Sequence, residues 1–266
     1  MRGTAALLVT LLTLWTGGVR ADPYIIIQST TSTENSGLFD AILPPFEAAT
    51  GIEARVVAVG TGQAIRNAER GDGDVLFVHD TAAEEAFVAA GFGAARHDVM
   101  YNDFVIVGPA SDPAGIEGMK DVTDALTGIA EAGVTFVSRG DESGTHRAEL
   151  RLWSKAGIGG QNPQWHRETG SGMGATLNVA VGLDGYTLTD RATWVAFGNK
   201  GAHRVLVEGD PALFNQYGVI AVAAAPSSSA DAAEAFVAWI TGEDGQAAIG
   251  AFRVDGQQVF FPNAQP

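Results

Sequence analysis

The chain has 266 residues, 16 Lys and Arg against 31 Asp and Glu, a formal charge of −15 and no cysteine. That balance argues against nucleic acid and anionic membrane surfaces as partners. The lack of cysteine excludes disulfides, thiolate metal sites, cysteine nucleophiles and a lipid anchor carried on cysteine.

Arg2, an apolar run over residues 5–15 and small side chains at Val19 and Ala21 form a secretory signal, with cleavage expected after Ala21. The run is too short to span a bilayer. Removing Arg2 and Arg20 leaves 245 residues with a charge of −17. Without an anchor, the mature chain is expected in the periplasm, with room for one large domain or two lobes.

The β-branched run YIII at 24–27 predicts a covered strand ending in the hydroxyl-rich tip Gln28–Ser32. Leu38, Ile42 and Phe46 fall four apart on a helix, with Pro44 and Pro45 predicting a kink or a split and Gly51 a stop. The pattern then repeats. Residues 52–59 form a strand ending in Gly60-Thr61-Gly62, followed by a helix over 63–70; residues 74–78 form a buried strand, with a helix starting at His79-Asp80-Thr81. Strand, polar tip and helix in three cycles give an α/β fold with a mainly parallel sheet.

Residues 99–109 break this rhythm as a long extended segment, where a crossing between lobes is expected. Residues 115–131 predict a short and a longer helix; 183–189 a turn, with a helix starting near Thr189; 217–222 a strand that returns to the first lobe; and 230–240 a final helix. The expected lobes are 22–108 with 217–266, and 109–216.

The segment 134–147, VTFVSRGDESGTHR, concentrates the chemistry. Val134, Phe136 and Val137 suit a covered strand, Gly140 and Asp141 break it, and Ser143-Gly144-Thr145 opens a helix with Leu150 and Trp153 three apart and Gly157 as its cap. Unpaired N–H groups at a helix start, two hydroxyls and the Arg139 guanidinium can converge on one oxyanion. The same residues also suit an ordinary cap, with Arg139 paired to Asp141 or Glu142. A unit charge pair about 4 Å apart is worth roughly 4 kcal/mol at an effective dielectric of 20. Arg139 therefore offers a dianion about 8, while surface carboxylates are screened over about 8 Å.

Enzyme signatures are thin. The Gly60-Thr61-Gly62 segment lacks the third glycine of a dinucleotide fingerprint, and no phosphate-loop lysine motif occurs. Asp141, Ser143 and His146 are triad residue types, but no nucleophile elbow surrounds the serine. His79, His97, His146, His166 and His203 lack metal-binding spacing and read as structural or solvated.

Ser29-Thr-Thr-Ser32, Ala58-Val-Gly-Thr-Gly-Gln-Ala64, Asp74-Val-Leu-Phe-Val-His79, the segment 101–109 and Phe136-Val-Ser-Arg-Gly-Asp-Glu-Ser-Gly-Thr-His146 together resemble the periplasmic tungstate-binding proteins of ABC importers. The resemblance runs in order from about Tyr24 to Trp153. It implies a two-lobed type II solute-binding fold, α/β in each lobe, joined by a two-segment hinge and closing on a tetrahedral oxyanion. It also implies oxyanion contacts from Thr30, Thr31, Ser32, Thr61, Arg139, Ser143, Gly144 and Thr145, a membrane permease as partner, a monomer, no cofactor and no catalysis. Where the family favours a third threonine in the first tip, this chain has Ser29. The alternatives are a molybdate, sulfate or phosphate binder on the same fold, and an exported serine hydrolase using Ser143 and His146.

Overall fold

The computed structural model describes residues 23–159, 164–223 and 227–265. The expected signal and its cleavage point at Ala21 lie outside the described residues. Among those residues no helix is long and apolar enough to cross a membrane.

The first cycles fold as β1 (Tyr24–Thr30), α1 (Thr31–Asn35), α2 (Leu38–Thr50), β2 (Glu53–Val59), α3 (Thr61–Glu69), β3 (Val75–Val78) and α4 (Thr81–Ala89). β1 pairs in parallel with β2 on one side and β3 on the other. β3 is buried along its whole length, as an unrelieved VLFV run requires. Leu38, Ile42 and Phe46 bury one face of α2 completely. Of the two outcomes expected at Pro44 and Pro45, the split does not occur, and one helix runs through both. Both prolines are exposed, so the carbonyls they leave unbonded can be hydrated while the apolar face holds the helix in place. Gly51, at φ +70°, ends α2 with its N–H on the Glu47 carbonyl.

β4 (Gly93–Pro109) joins two halves of the molecule. From Gly93 to Asp103 it pairs with β9 (Phe214–Val222), and from Phe104 to Pro109 with β7 (Thr187–Asp190) and β8 (His203–Val207), all antiparallel. β9 closes the first sheet against β3, and β10 (Phe261–Pro262) covers the other edge of β4. The partner change lies at Asp103–Phe104, ahead of the expected boundary at 108/109. The return strand starts at Phe214, three residues before the expected 217. A strand serving two sheets looks uniform in sequence, so its handover carries no compositional mark.

The second half contains α5 (Val122–Ala132), β5 (Phe136–Ser138), α6 (Gly144–Lys155), β6 (His166–Glu168), α7 (Met173–Gly182) and α8 (Arg191–Ala196). β5 pairs in parallel with β6 and bridges to Tyr186 beside β7. Several expectations change here. Only α5 forms within 115–131; α7, β7 and β8 emerge from a Gly- and Thr-rich stretch; and the helix expected near Thr189 starts at Arg191, after β7. Thr187 to Asp190 is wholly buried between neighbours, and that tertiary burial overrides a weak local pattern. On α6 the buried apolar pair is Leu152 and Trp153, and Leu150 faces solvent.

The chain closes with α9 (Ser227–Thr241) and α10 (Glu243–Ala251), so the helix expected over 230–240 is longer and is not the last. One core packs α2, α9 and α10 on the first sheet around Ile25, Phe46, Phe77 and Phe236. A separate core surrounds Phe104, Phe136, Trp153 and Tyr186 in the second half.

Candidate functional site

Four strand ends converge. β1 ends in Thr30, whose hydroxyl caps α1 by accepting the Thr33 N–H at 3.4 Å. Thr30 Oγ1 also lies 3.1 Å from Ser32 Oγ and 2.8 Å from Thr33 Oγ1, a buried cluster of hydroxyls beside half-buried Thr31. The other polar residues of this tip are occupied. Gln28 holds the Asp72 carbonyl and the Asn67 amide, each at 2.8 Å, and Ser29 donates to the Phe77 carbonyl at 2.6 Å. Ser29 keeps a hydroxyl at the family's threonine position, but spends it inside the sheet.

β2 ends at Val59, Gly60 precedes α3, and fully buried Thr61 opens that helix. Its Oγ1 accepts the backbone N–H of Gly144 at 2.9 Å, joining the two halves. A Cβ placed on Gly144 would lie 2.8 Å from His79 Cε1 and 3.0 Å from Thr61 Oγ1, so the close approach requires glycine.

β3 ends at His79. Its ring stacks on Tyr217 with centroids 4.8 Å apart, with Nε2 3.3 Å from Ser32 Oγ and Nδ1 3.1 Å from Asn215 Oδ1. Burial holds its pKa below the ordinary value; Asp190, the Asn215 hydrogen bond and Asp80 pull upward, and Arg139 pushes down.

β5 delivers Ser138 and Arg139, both buried. Arg139 Nε and Nη2 donate to Asp141 Oδ2 at 3.1 and 2.6 Å, so the guanidinium is held by Asp141 and not by Glu142. Burial raises the Asp141 pKa, but hydrogen bonds from Ser143 and the Arg139 charge outweigh it and keep the carboxyl below its usual range. Ser143 caps α6 by accepting the His146 N–H at 3.2 Å. His146 Nδ1 accepts the Glu142 N–H at 3.0 Å. Ser143 and His146 side chains thus have separate partners, and the serine is not activated by the imidazole.

The Ser138 and Thr145 hydroxyls are buried without a hydrogen-bond partner. Such groups cost about 1 to 3 kcal/mol each unless something accepts from them. Thr30, Ser32 and Arg139 are buried as well, and the approaches of Ser32 to His79, His79 to Gly144 and Gly144 to Thr61 bring the tips of both halves together. Among the described residues no group of His, Asp or Glu is arranged to hold a metal cation. The sequence offers Ser138 as a tip hydroxyl, although it is outside the expected contact set, and it does not single out His79 or Asn215. Ser138 stood next to Arg139 at a strand end; for His79 and Asn215 the long-range pairing that unites them carries no local signal.

A PBP superfamily domain is matched over residues 18–244. The tungstate-binding protein TupA of Peptoclostridium acidaminophilum is 47% identical over 246 residues, covering 90% of this chain and 86% of that protein. Among solved structures, the tungstate-binding protein TupA of Desulfovibrio alaskensis G20 is 49% identical with a TM-score of 0.79, covering 91% of this chain and 100% of that one. The tungstate ABC transporter structure from Geobacter sulfurreducens is 46% identical with a TM-score of 0.78, covering 86% of this chain and 98% of that one. Matched over most of its length, with a two-lobed α/β fold, this chain belongs to the PBP superfamily and, within it, to the family of tungstate-binding solute-binding proteins of ABC transporters.

Proposed function

We propose that the protein captures tungstate between its two lobes and delivers it to the permease of an ABC importer, without catalysis. What supports this reading is the set of buried polar side chains at strand tips of both halves, Thr30 and Ser32 after β1, Arg139 and Thr145 after β5, and unpartnered Ser138, with the Thr61 bond to Gly144 tying the halves together. Thr31, Ser143 and Gly144 complete the proposed contact set, Gly144 through its backbone. Ser138 is an addition to it. The lobes are taken as 23–103 with 214–265, and 104–213, following the partner change along β4. The mature protein, cleaved after Ala21, acts as a periplasmic monomer.

The donors set the selectivity. Near pH 7 phosphate carries a hydroxyl that needs an acceptor, whereas tungstate, molybdate and sulfate only accept. Asp141, the carboxylate beside Arg139, is engaged by Arg139 and by the Ser143 N–H at 3.2 Å. Sulfate has shorter bonds and leaves fixed donors unmet. Molybdate shares the charge and size of tungstate, and the order between them rests on the relatives' names alone. Isothermal titration of the mature protein against tungstate, molybdate, sulfate and phosphate tests the reading; saturable binding of the first two is expected.

A further inference from the structure

Four side chains run from the β1 tip to the strands that connect the lobes. Ser32 Oγ lies 3.3 Å from His79 Nε2, His79 Nδ1 lies 3.1 Å from Asn215 Oδ1, and Asn215 Nδ2 donates to Asn102 Oδ1 at 2.6 Å. Their exposures are 5, 4, 3 and 1%. Asn102 sits on β4 and Asn215 on β9, directly paired across the sheet one residue from the change of partner.

With the Asn215 amide nitrogen on Asn102, the chain sets one pattern of protons. Asn215 gives its amide to Asn102, so its Oδ1 faces His79 and pairs with a ring proton on Nδ1; turning both amides would instead place that proton on Nε2 from the start. In that pattern the Nε2 of a neutral ring only accepts, and the single Ser32 proton has His79 Nε2 at 3.3 Å and Thr30 Oγ1 at 3.1 Å as its acceptors. A tungstate oxygen also only accepts. Ser32 cannot donate to His79 and to the oxyanion at once.

We propose that His79 is a positioning residue that takes up a proton when tungstate binds, so that its Nε2–H donates to Ser32 and frees the Ser32 hydroxyl to donate to the oxyanion. This rests on the reading of Ser32 as an oxyanion contact. One proton moves from the buffer to Nε2, and no covalent bond of the ligand changes. The charged groups facing the ring are Asp190 at the end of β7 and Asp80 beside it in sequence, which favour the imidazolium, and Arg139 beyond β5, which opposes it. Tyr217 on β9 offers a neutral stacked ring, while Thr61 and Gly144 add no charge. Burial keeps the free ring neutral, and a bound dianion reverses that balance.

Titration of tungstate into the mature protein at pH 7.5, in MOPS, HEPES and Tris, reads the protons taken up from the slope of observed enthalpy against buffer ionisation enthalpy. The wild type is expected to take up about one proton per tungstate, and its affinity to fall up to about tenfold per unit of rising pH. His79→Gln offers Ser32 a permanent amide donor and is expected to bind with no uptake. Ring nitrogen-15 spectra of the wild type should move from the neutral to the imidazolium pattern on saturation, a readout that does not depend on the variant folding. Tungstate binding by the wild type with no proton uptake, or uptake unchanged in His79→Gln, would overturn the proposal. Absence of tungstate binding by the folded wild type would instead overturn the oxyanion reading beneath it.

Discussion

Thr61 Oγ1 accepts the Gly144 backbone N–H at 2.9 Å, a bond between residues 83 apart in sequence that joins the β2 tip to the start of α6. Both residues are buried. The bond ties the two halves of the molecule to one another.

Thr61→Val keeps the shape and removes the acceptor. The Gly144 N–H is then left unmet on closure, at a cost of about 1 to 3 kcal/mol. Tungstate affinity measured by calorimetry should fall by roughly 5- to 150-fold, with little change in melting temperature. A normal affinity would show that closure does not need this bond.

Gly144→Ala tests the same seam by volume. The new methyl meets His79, whose ring is already stacked on Tyr217 and has little room to retreat. Overpacking of this kind costs about 1 to 3 kcal/mol. Small-angle scattering at saturating tungstate should show a more open particle than the wild type, and an identical profile would count against the tight approach.

Arg139→Ala should lower tungstate affinity at least about tenfold, because the charge-assisted contact disappears. Arg139→Lys should recover only part of it, since a point charge replaces a planar fork that Asp141 holds in place. Unchanged binding by the alanine variant would reduce Arg139 to a structural partner of Asp141.

The fold was legible where local pattern and burial agree. YIII, DVLFV and the strand–tip–helix cycles located β1, β3 and the β5–α6 turn, and Ser143 caps α6 as its position foretold. Pro44 and Pro45 do not split α2, because a proline's cost depends on whether its face is solvated. The buried β7 and the two-sheet strand β4 depend on partners far away in sequence. At the site, the hydroxyl-rich tips were visible, but their division of labour was not. Gln28 and Ser29 serve the sheet, while His79, read as structural or solvated, connects Ser32 to Asn215.

Stability should carry a separate pH signature from Glu84. Burial raises its pKa from 4.5 to about 7, and the Arg96 contact at 2.6 Å offsets only part of that cost. The folded chain therefore holds a proton that the unfolded chain releases at lower pH. Stability should fall as pH rises from 4.5 to about 7, by up to about 1.4 kcal/mol per unit. Glu84→Gln should flatten that slope in urea titrations, and an unchanged slope would assign it to other groups.

Competition calorimetry with the mature protein tests the central claim most directly. Tungstate should saturate one site, molybdate should compete for it, and sulfate should bind at least about 30-fold more weakly, from two unmet donors at about 1 kcal/mol or more each. Phosphate should be excluded by its hydroxyl. Displacement of tungstate by phosphate or sulfate at comparable concentration would contradict a site built from donors.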